Sequence, residues 1–135
     1  MPNIAVPAEL RDLLDAKVAS LTTLSADGSP HATLVWFGYN RDLDRFQLSV
    51  SADRVKAQNL IARPRVSLLI FDPADQFRYI DVRGNASAIP DERLAWADAY
   101  ITPKYDVDVR AFPGADTRLV VTIEPVTIYA HDGAG

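Results

Sequence analysis

The sequence contains no cysteine among its 135 residues. This absence excludes disulfides, zinc ribbons, iron–sulfur clusters and thiol nucleophiles. Histidine is scarce as well, because only His31 and His131 occur, and two are too few for most histidine-rich metal sites. We therefore expect no metal centre and no catalysis through sulfur.

Long apolar runs and a basic charge balance are also missing. The run at 68–71 is far too short to span a bilayer, and the first twenty residues lack the basic and apolar stretches of a secretory signal. The net charge of −4 argues against nonspecific binding to nucleic acid or to an anionic membrane. We expect a single domain over residues 1–135, located in the cytoplasm and without nucleic-acid or membrane partners.

The spacing of apolar residues predicts a mainly β protein with short helices. Leu10, Leu13 and Leu14 recur at helical spacing, and further helices are expected at 54–62 and 90–100. Six strands are expected, at residues 18–24, 31–39, 46–51, 66–71, 79–88 and 119–129. The first three predict a meander, and Gly84 predicts a bulge or a close approach between strands. Because the order does not alternate strand and helix, we expect a six-stranded, mainly antiparallel barrel with helices at its ends.

A basic segment at 54–65 is the most informative part of the sequence, since it holds four cations and no anion in a net acidic protein. On a helix, Lys56, Asn59 and Arg63 fall within roughly 60° of one another. Arg54 stands at the helix start, where backbone N–H groups and the helix dipole favour an anion. The segment is therefore suited to a phosphate, and the alternative is a solvated basic face.

Polar and aromatic residues on the neighbouring strands are further candidates. Ser49 and Ser51 lead into the basic helix and are suited to bond a phosphate or a ring edge, although outward serines are common on solvated faces. Trp36 and Phe37 offer a flat wall for an aromatic ligand, and the alternative is that they are core residues. Tyr79 leaves the same two interpretations open.

Motifs for several common chemistries are absent. The sequence has no P-loop, no G-x-S-x-G and no G-x-G-x-x-G. His31 follows a hairpin turn and has no serine or carboxylate at a motif spacing, so we interpret it as a surface histidine. Triad hydrolysis, P-loop chemistry and a standard dinucleotide fold gain no support.

A series of short motifs, in this order, is more specific than any one of them. They are ASLTTL at 19–24, DGSP at 27–30, VWF at 35–37, KAQNL at 56–60, RPRVSL at 63–68, Tyr79 with VRG at 82–84, and VVTIEP at 120–125. Over nearly the whole chain this order resembles the split β-barrel flavin and deazaflavin oxidoreductases, the superfamily of pyridoxamine-phosphate-oxidase-like (PPOX class) proteins. The branch that depends on coenzyme F420 is the nearer match.

The resemblance implies the FMN-binding split-barrel fold and a homodimer with its cofactor at the subunit interface. It implies that Arg54, Lys56 and Asn59 hold the phosphate of the cofactor, with Arg63 and Arg65 as further contacts to its tail. The residues implied to line the ring are Val35, Trp36 and Phe37. Those implied to meet the ribityl chain or the ring edge are Ser49, Val50 and Ser51. Tyr79 of the partner subunit is implied to approach the same site.

Three functions remain open on this basis. The first is an oxidoreductase that transfers a hydride from reduced F420 to a small electrophilic organic substrate. The second is an FMN-dependent oxidase or reductase on the same fold, and the third is a protein that binds a flavin, deazaflavin or tetrapyrrole without turning it over. The catalytic residues are unknown, because Tyr79 and Tyr105 are only weak candidates for a proton donor and solvent is the alternative. Residues 101–117 are expected to form a lid over the substrate.

Overall fold

The computed structural model describes residues 4–133, and these residues form one antiparallel sheet of seven strands. The strands are β1 Ala19–Leu24, β2 Pro30–Val35, β3 Gly38–Asn40, β4 Arg45–Ser51, β5 Arg65–Asp72, β6 Asp75–Pro90 and β7 Arg118–Asp132. Their order across the sheet is β2-β1-β5-β6-β7-β4-β3. The predicted mainly antiparallel β fold with short helices is confirmed, but the sheet has seven strands where the sequence predicted six.

The additional strand arises because the predicted strand at 31–39 is interrupted at Trp36 and Phe37. β2 pairs with β1, whereas β3 pairs with β4, so the two halves lie at opposite edges of the sheet. A linker of two residues spans at most about 10 Å, so the two edges must approach each other and the sheet must curl. The result is a barrel that is split at the linker. The neighbour pairings of the predicted meander are present, since β1 pairs with β2 and β3 with β4, but its central strand is split at the linker. The outer partners of β1 and β4 are β5 and β7, both distant in sequence.

The core lies inside this curled sheet. The apolar side chains of β4 alternate with polar ones along the strand, and Phe46, Leu48 and Val50 are almost fully buried, as this period of two predicts. Gln47 and Ser51 on the opposite face are buried too. The N-terminal helix is a 3-10 helix at Ala8–Asp15. It packs its leucines against the same core, namely Leu10, Leu13 and Leu14.

Gly84 marks an irregularity between β6 and β7, as predicted. The register shifts between Arg83 and Gly84, and Pro125 lies opposite the glycine. A Cβ atom at Gly84 would overlap the backbone carbonyl of Glu124. The position therefore requires glycine because the two backbones approach closely, which is one of the reasons glycine occurs inside strands.

Helix α1, Val55–Ala62, follows β4 directly and carries part of the basic segment. Its N-cap residue is Arg54, and no side chain of the described residues caps it. Ser51 and Asp53, which precede the helix and belong to residue types that commonly cap helices, do not cap it. The hydroxyl of Ser51 donates instead to the Asp53 carboxylate at 2.5 Å, which commits both side chains to each other.

The chain between β6 and β7 forms a small helical subdomain. Its elements are the 3-10 helix Glu92–Leu94, α2 at Ala95–Tyr100, α3 at Thr102–Tyr105, and the 3-10 helices Val109–Ala111 and Ala115–Thr117. The helix predicted at 90–100 is confirmed in its second half, but Pro103 does not end the helical region. It stands in the first turn of α3, where a missing N–H costs no hydrogen bond.

Candidate functional site

Two adjoining clefts lie where the end of β4, the start of α1 and the split in the barrel meet. The first has a volume of about 600 Å³ and the second about 440 Å³. Ser51, Arg54 and Lys56 line both, so the two clefts form one continuous surface. We call this surface the basic cleft. The sheet register places Arg118 of β7 opposite Ser51, which adds a third cation to it.

The three cations of the basic cleft raise each other's free energy. The pKa of Lys56 is lowered by burial and by the charges of Arg54 and Arg118. The pKa of Arg118 is lowered by burial and by Arg54. Within residues 4–133, none of the three forms an ion pair within 4 Å of a carboxylate. An anion bound here would relieve the repulsion, so the electrostatics favour an anionic ligand.

Unpartnered polar atoms line the same surface. Among the described residues, four buried side-chain atoms of the cleft have no hydrogen-bond partner, namely Ser49 Oγ, Thr33 Oγ1, His31 Nδ1 and Arg118 Nε. Leaving a buried polar atom unpaired costs about 1–3 kcal/mol, so such atoms normally have a function or a missing partner. His31, interpreted from the sequence as a surface histidine, is half-buried, and it lines the first cleft with its Nδ1 atom shielded from solvent.

The end of β4 is held in place by the helical subdomain. The Ser51 hydroxyl lies 3.0 Å from Thr117 Oγ1, and the backbone N–H of Ala52 donates to the Thr117 carbonyl at 2.9 Å. Gly114 packs so closely on Ser51 that a Cβ atom there would overlap its hydroxyl, and its φ of +76° also favours glycine. These contacts hold Pro113 and Gly114 in place as one wall of the first cleft.

Trp36 and Phe37 turn to opposite sides of the linker. Trp36 lines the second cleft, where its ring stacks on Tyr105 at 4.3 Å and meets Phe112 edge-on at 6.0 Å. Phe37 is fully buried in the core, so the prediction that its ring lines a cofactor is wrong. Only Trp36 of the pair offers a ring to a ligand. Val35 and Val50 are also buried, yet both line the second cleft.

The linker leaves Phe37 without strand partners, and α3 replaces them. The backbone N–H of Phe37 donates to the Tyr105 hydroxyl at 3.0 Å, and its carbonyl accepts from Lys104 Nζ at 2.8 Å. The Tyr105 hydroxyl donates in turn to the Lys17 carbonyl at 2.8 Å. Burial raises the pKa of Tyr105. A hydroxyl committed in this way is a poor proton donor, so the geometry favours a positioning role for Tyr105.

Asn59 and Arg63 do not line the basic cleft, although the helical wheel puts them on the side of Lys56. The buried Asn59 amide donates to Thr23 Oγ1 at 3.1 Å. Arg63 donates to the Leu24 carbonyl at 2.7 Å and to Asn59 Oδ1 at 3.2 Å. Both side chains therefore fasten α1 to β1. The wheel predicted which residues share a face but not which element that face packs against.

The other candidates lie away from the cleft. Tyr79 stacks on His131 at 5.3 Å on the outer face of the sheet, so its approach from a partner subunit stays a prediction. Arg65 lines a separate groove of about 320 Å³. Within residues 4–133, no group of three or more acidic or histidine side chains could hold a metal ion. No helix in that range is long and apolar enough to cross a membrane.

Comparison with known proteins gives consistent relatives. The model of the pyridoxamine 5'-phosphate oxidase family matches residues 6–132. An F420H(2)-dependent biliverdin reductase from Mycobacterium tuberculosis (strain CDC 1551 / Oshkosh) is 30% identical over 98 residues, which cover 68% of this chain and 69% of that protein.

Solved structures with the same fold are also found. An F420 reductase shares the fold with a TM-score of 0.81 at 24% identity, covering 92% of this chain and 98% of that one. A conserved hypothetical protein from Mycobacterium tuberculosis has a TM-score of 0.78 at 25% identity, covering 96% of this chain and 86% of its own.

Proposed function

The chain belongs to the pyridoxamine 5'-phosphate oxidase family, and on this premise we propose that it is an oxidoreductase that uses reduced coenzyme F420 to reduce an electrophilic organic substrate. One observation carries the proposal. Three mutually repelling cations, which have no ion pair within residues 4–133, lie beside polar atoms that lack partners in the same range and beside an exposed tryptophan ring. A ligand with a phosphate at one end and a planar ring at the other would satisfy each of these features. The relatives named for F420 favour the deazaflavin over FMN.

The residues of the basic cleft fit the phosphate end of such a cofactor. Arg54, Lys56 and Arg118 would hold the phosphodiester, since guanidinium and ammonium groups form the strongest hydrogen bonds to phosphate. The unpartnered hydroxyl of Ser49 is placed to bond the chain between phosphate and ring. Val35 and Trp36 would pack against the ring. Arg118 was not among the residues the sequence pointed to, because nothing near it in the sequence links it to the basic segment.

The protein contributes positioning and exclusion of water. The deazaflavin, when bound, supplies a carbon-centred two-electron hydride donor, so the chain needs to hold the ring beside the substrate and keep solvent out. Trp36 is fixed for this purpose between Tyr105 and Phe112. Asp53 lines the basic cleft, but its pKa is lowered and it carries no proton at neutral pH, so solvent is proposed to supply the proton. A small electrophilic molecule is proposed as substrate, and biliverdin, named for the mycobacterial relative, is the first to test. A cytoplasmic location stays a prediction.

We also propose a homodimer in which the partner covers the outer face of the sheet. The register aligns Leu34, Ser20, Leu69, Asp81 and Tyr129 in one row across five strands. Leu34 is 70% exposed and Tyr129 51% exposed, so this row presents apolar area to its surroundings. A second copy on this face would bury it and bring Tyr79 of the partner subunit towards the cofactor. The mass of the protein in solution, measured by light scattering, tests this assembly.

Equilibrium ultrafiltration against oxidised F420, and separately against FMN, tests the proposed function. We expect retention of F420 that falls at least about tenfold in Arg54→Ala and Lys56→Ala, because each removes one charged partner of the phosphate. Arg45→Ala is the matched control, since Arg45 bonds only the backbone of its own turn.

The other outcomes separate the alternatives. Preferential retention of FMN would replace F420 by FMN as the cofactor. Retention of F420 without reduction of biliverdin or any tested enone, quinone or nitro compound would favour a binding protein. Retention of neither cofactor would overturn the proposal.

A further inference from the structure

The basic cleft contains one carboxylate among the residues that line it, and that carboxylate belongs to Asp53. Its position is fixed, because Ser51 Oγ donates to Asp53 Oδ1 at 2.5 Å. This hydrogen bond, together with the charges of Arg54 and Arg118, lowers the pKa of Asp53, so the group is an anion at neutral pH. Within residues 4–133 it makes no ion pair within 4 Å of a cation. A fixed negative charge thus lies within a site suited to anions.

We propose that Asp53 makes the basic cleft prefer a singly charged phosphodiester over a doubly charged phosphomonoester. The inference rests on the proposed function in one respect, namely that an organic phosphate occupies this cleft. Coulomb repulsion is proportional to the charge of the ligand. If Asp53 weakens a monoanion by a factor f, it weakens a dianion at the same place by about f squared. F420 carries a phosphodiester, whereas FMN carries a phosphomonoester whose second pKa is about 6.

The hydrogen bonding of Ser51 acts in the same direction. Its hydroxyl has one proton, and that proton is donated to Asp53, with Thr117 Oγ1 as the neighbouring oxygen. Ser51 therefore has no donor left for a phosphate oxygen. A phosphomonoester has three terminal oxygens that need donors, whereas a phosphodiester has two. The carboxylate thus adds a repelling charge and also removes a donor, and both effects are larger for the monoester.

A graded set of ligands tests this proposal without reference to activity. Riboflavin, the methyl phosphodiester of FMN, and FMN share one ring and one ribityl chain, and at pH 8 they carry charges of 0, −1 and about −2 on that chain. Dissociation constants are measured by flavin fluorescence at low ionic strength for the wild type and Asp53→Asn, with F420 titrated alongside. The amide keeps the shape and an acceptor for Ser51 while removing the charge.

Two further variants complete the design. Asp53→Glu retains the charge, so it should keep the preference of the wild type. Asp27→Asn is the matched control, because Ser29 Oγ donates to Asp27 Oδ1 at 2.6 Å in an equivalent local pair, and neither residue lines the basic cleft. Neither variant should change the ratio of the three constants.

For Asp53→Asn we expect no change in the affinity for riboflavin, roughly threefold tighter binding of the methyl phosphodiester and roughly tenfold tighter binding of FMN. The threefold factor is typical of the interaction of one exposed carboxylate with one ligand charge, and it is squared for the two charges of FMN. Equal tightening of both phosphates, or none, would overturn the role of Asp53. That result would leave the proposed function intact if the wild type retains F420. If the wild type binds FMN but not F420, the cofactor assignment fails while the graded series still decides on Asp53. Binding of none of these ligands would overturn both proposals.

Discussion

Replacement of Arg118 by methionine is expected to weaken ligand binding without lowering the stability of the protein. Arg118 Nη1 donates weakly to the Ser49 carbonyl at 3.3 Å, its Nε is buried without a partner, and it repels Arg54. In the unliganded protein the unpaired Nε and the repulsion are unfavourable, and the weak hydrogen bond and the charge of Asp53 offset them only in part. Methionine keeps the aliphatic stem that packs in the cleft and removes the charge. We therefore expect Arg118→Met to leave the free energy of unfolding unchanged or to raise it by about 1 kcal/mol.

Affinity should change in the opposite direction. A hydrogen bond to a charged group contributes about 1.5–3 kcal/mol, so loss of Arg118 should weaken F420 roughly 10- to 100-fold. Arg118→Lys keeps the charge but loses the fork of donors, and its affinity should lie between the two. Urea unfolding and a fluorescence titration are the two assays, with Arg45→Met as the control for an exposed cation. Parallel loss of stability and affinity would show that Arg118 is structural, and unchanged affinity would remove it from the site.

Two further predictions concern the subdomain that holds the linker. Burial lowers the pKa of Lys104 from 10.5 to about 8, so between these pH values the unfolded chain binds one proton more than the folded protein, and the stability of the wild type rises with pH. Urea midpoints plotted against pH should therefore rise more steeply for the wild type than for Lys104→Met between about pH 8 and pH 10.5. Parallel plots would contradict the burial of the Lys104 charge. Tyr105→Ala removes the ring stacked on Trp36, so we expect a raised KM and a lowered turnover for the organic substrate. Tyr105→Phe keeps the stack but loses the hydroxyl bonded to Phe37 and Lys17, so we expect a smaller effect. Wild-type kinetics in Tyr105→Ala would refute a lid at 101–117.

Local patterns in the sequence were sufficient to predict the structure at positions where the residue type or the period of its strand decides it. The period of two in β4 predicted Phe46, Leu48 and Val50 in the core, because a strand buries every second side chain. Gly84 predicted a close approach of two backbones, and the carbonyl of Glu124 is the group that excludes a Cβ atom. In the first case the physical cause lies within the strand itself. In the second, glycine carries the signal in its residue type, although Glu124 belongs to another strand.

Pairing over long distances in the sequence could not be predicted in the same way. Arg118 joins the site because β7 pairs with β4 and sets it opposite Ser51, and neither strand contains a signal for that register. His31 and Thr33 reach the cleft because β2 is an edge strand and not the centre of a meander. Asn59 was expected at the phosphate because a helical wheel contains no information on which face meets β1. Each error concerns which element lies beside another.

The site exists because the barrel is split. A regular strand through Trp36 and Phe37 would turn successive side chains to opposite faces and satisfy their backbones in a ladder. Here the ladder stops, and Tyr105 and Lys104 supply the hydrogen bonds that Phe37 would otherwise lack. Phe37 then remains in the core, while Trp36 lines the second cleft together with Arg54 and Lys56, which follow β4 in the sequence. The helical subdomain is thus required to complete the barrel and to position the ring wall, so a change that loosens α3 should affect both folding and binding.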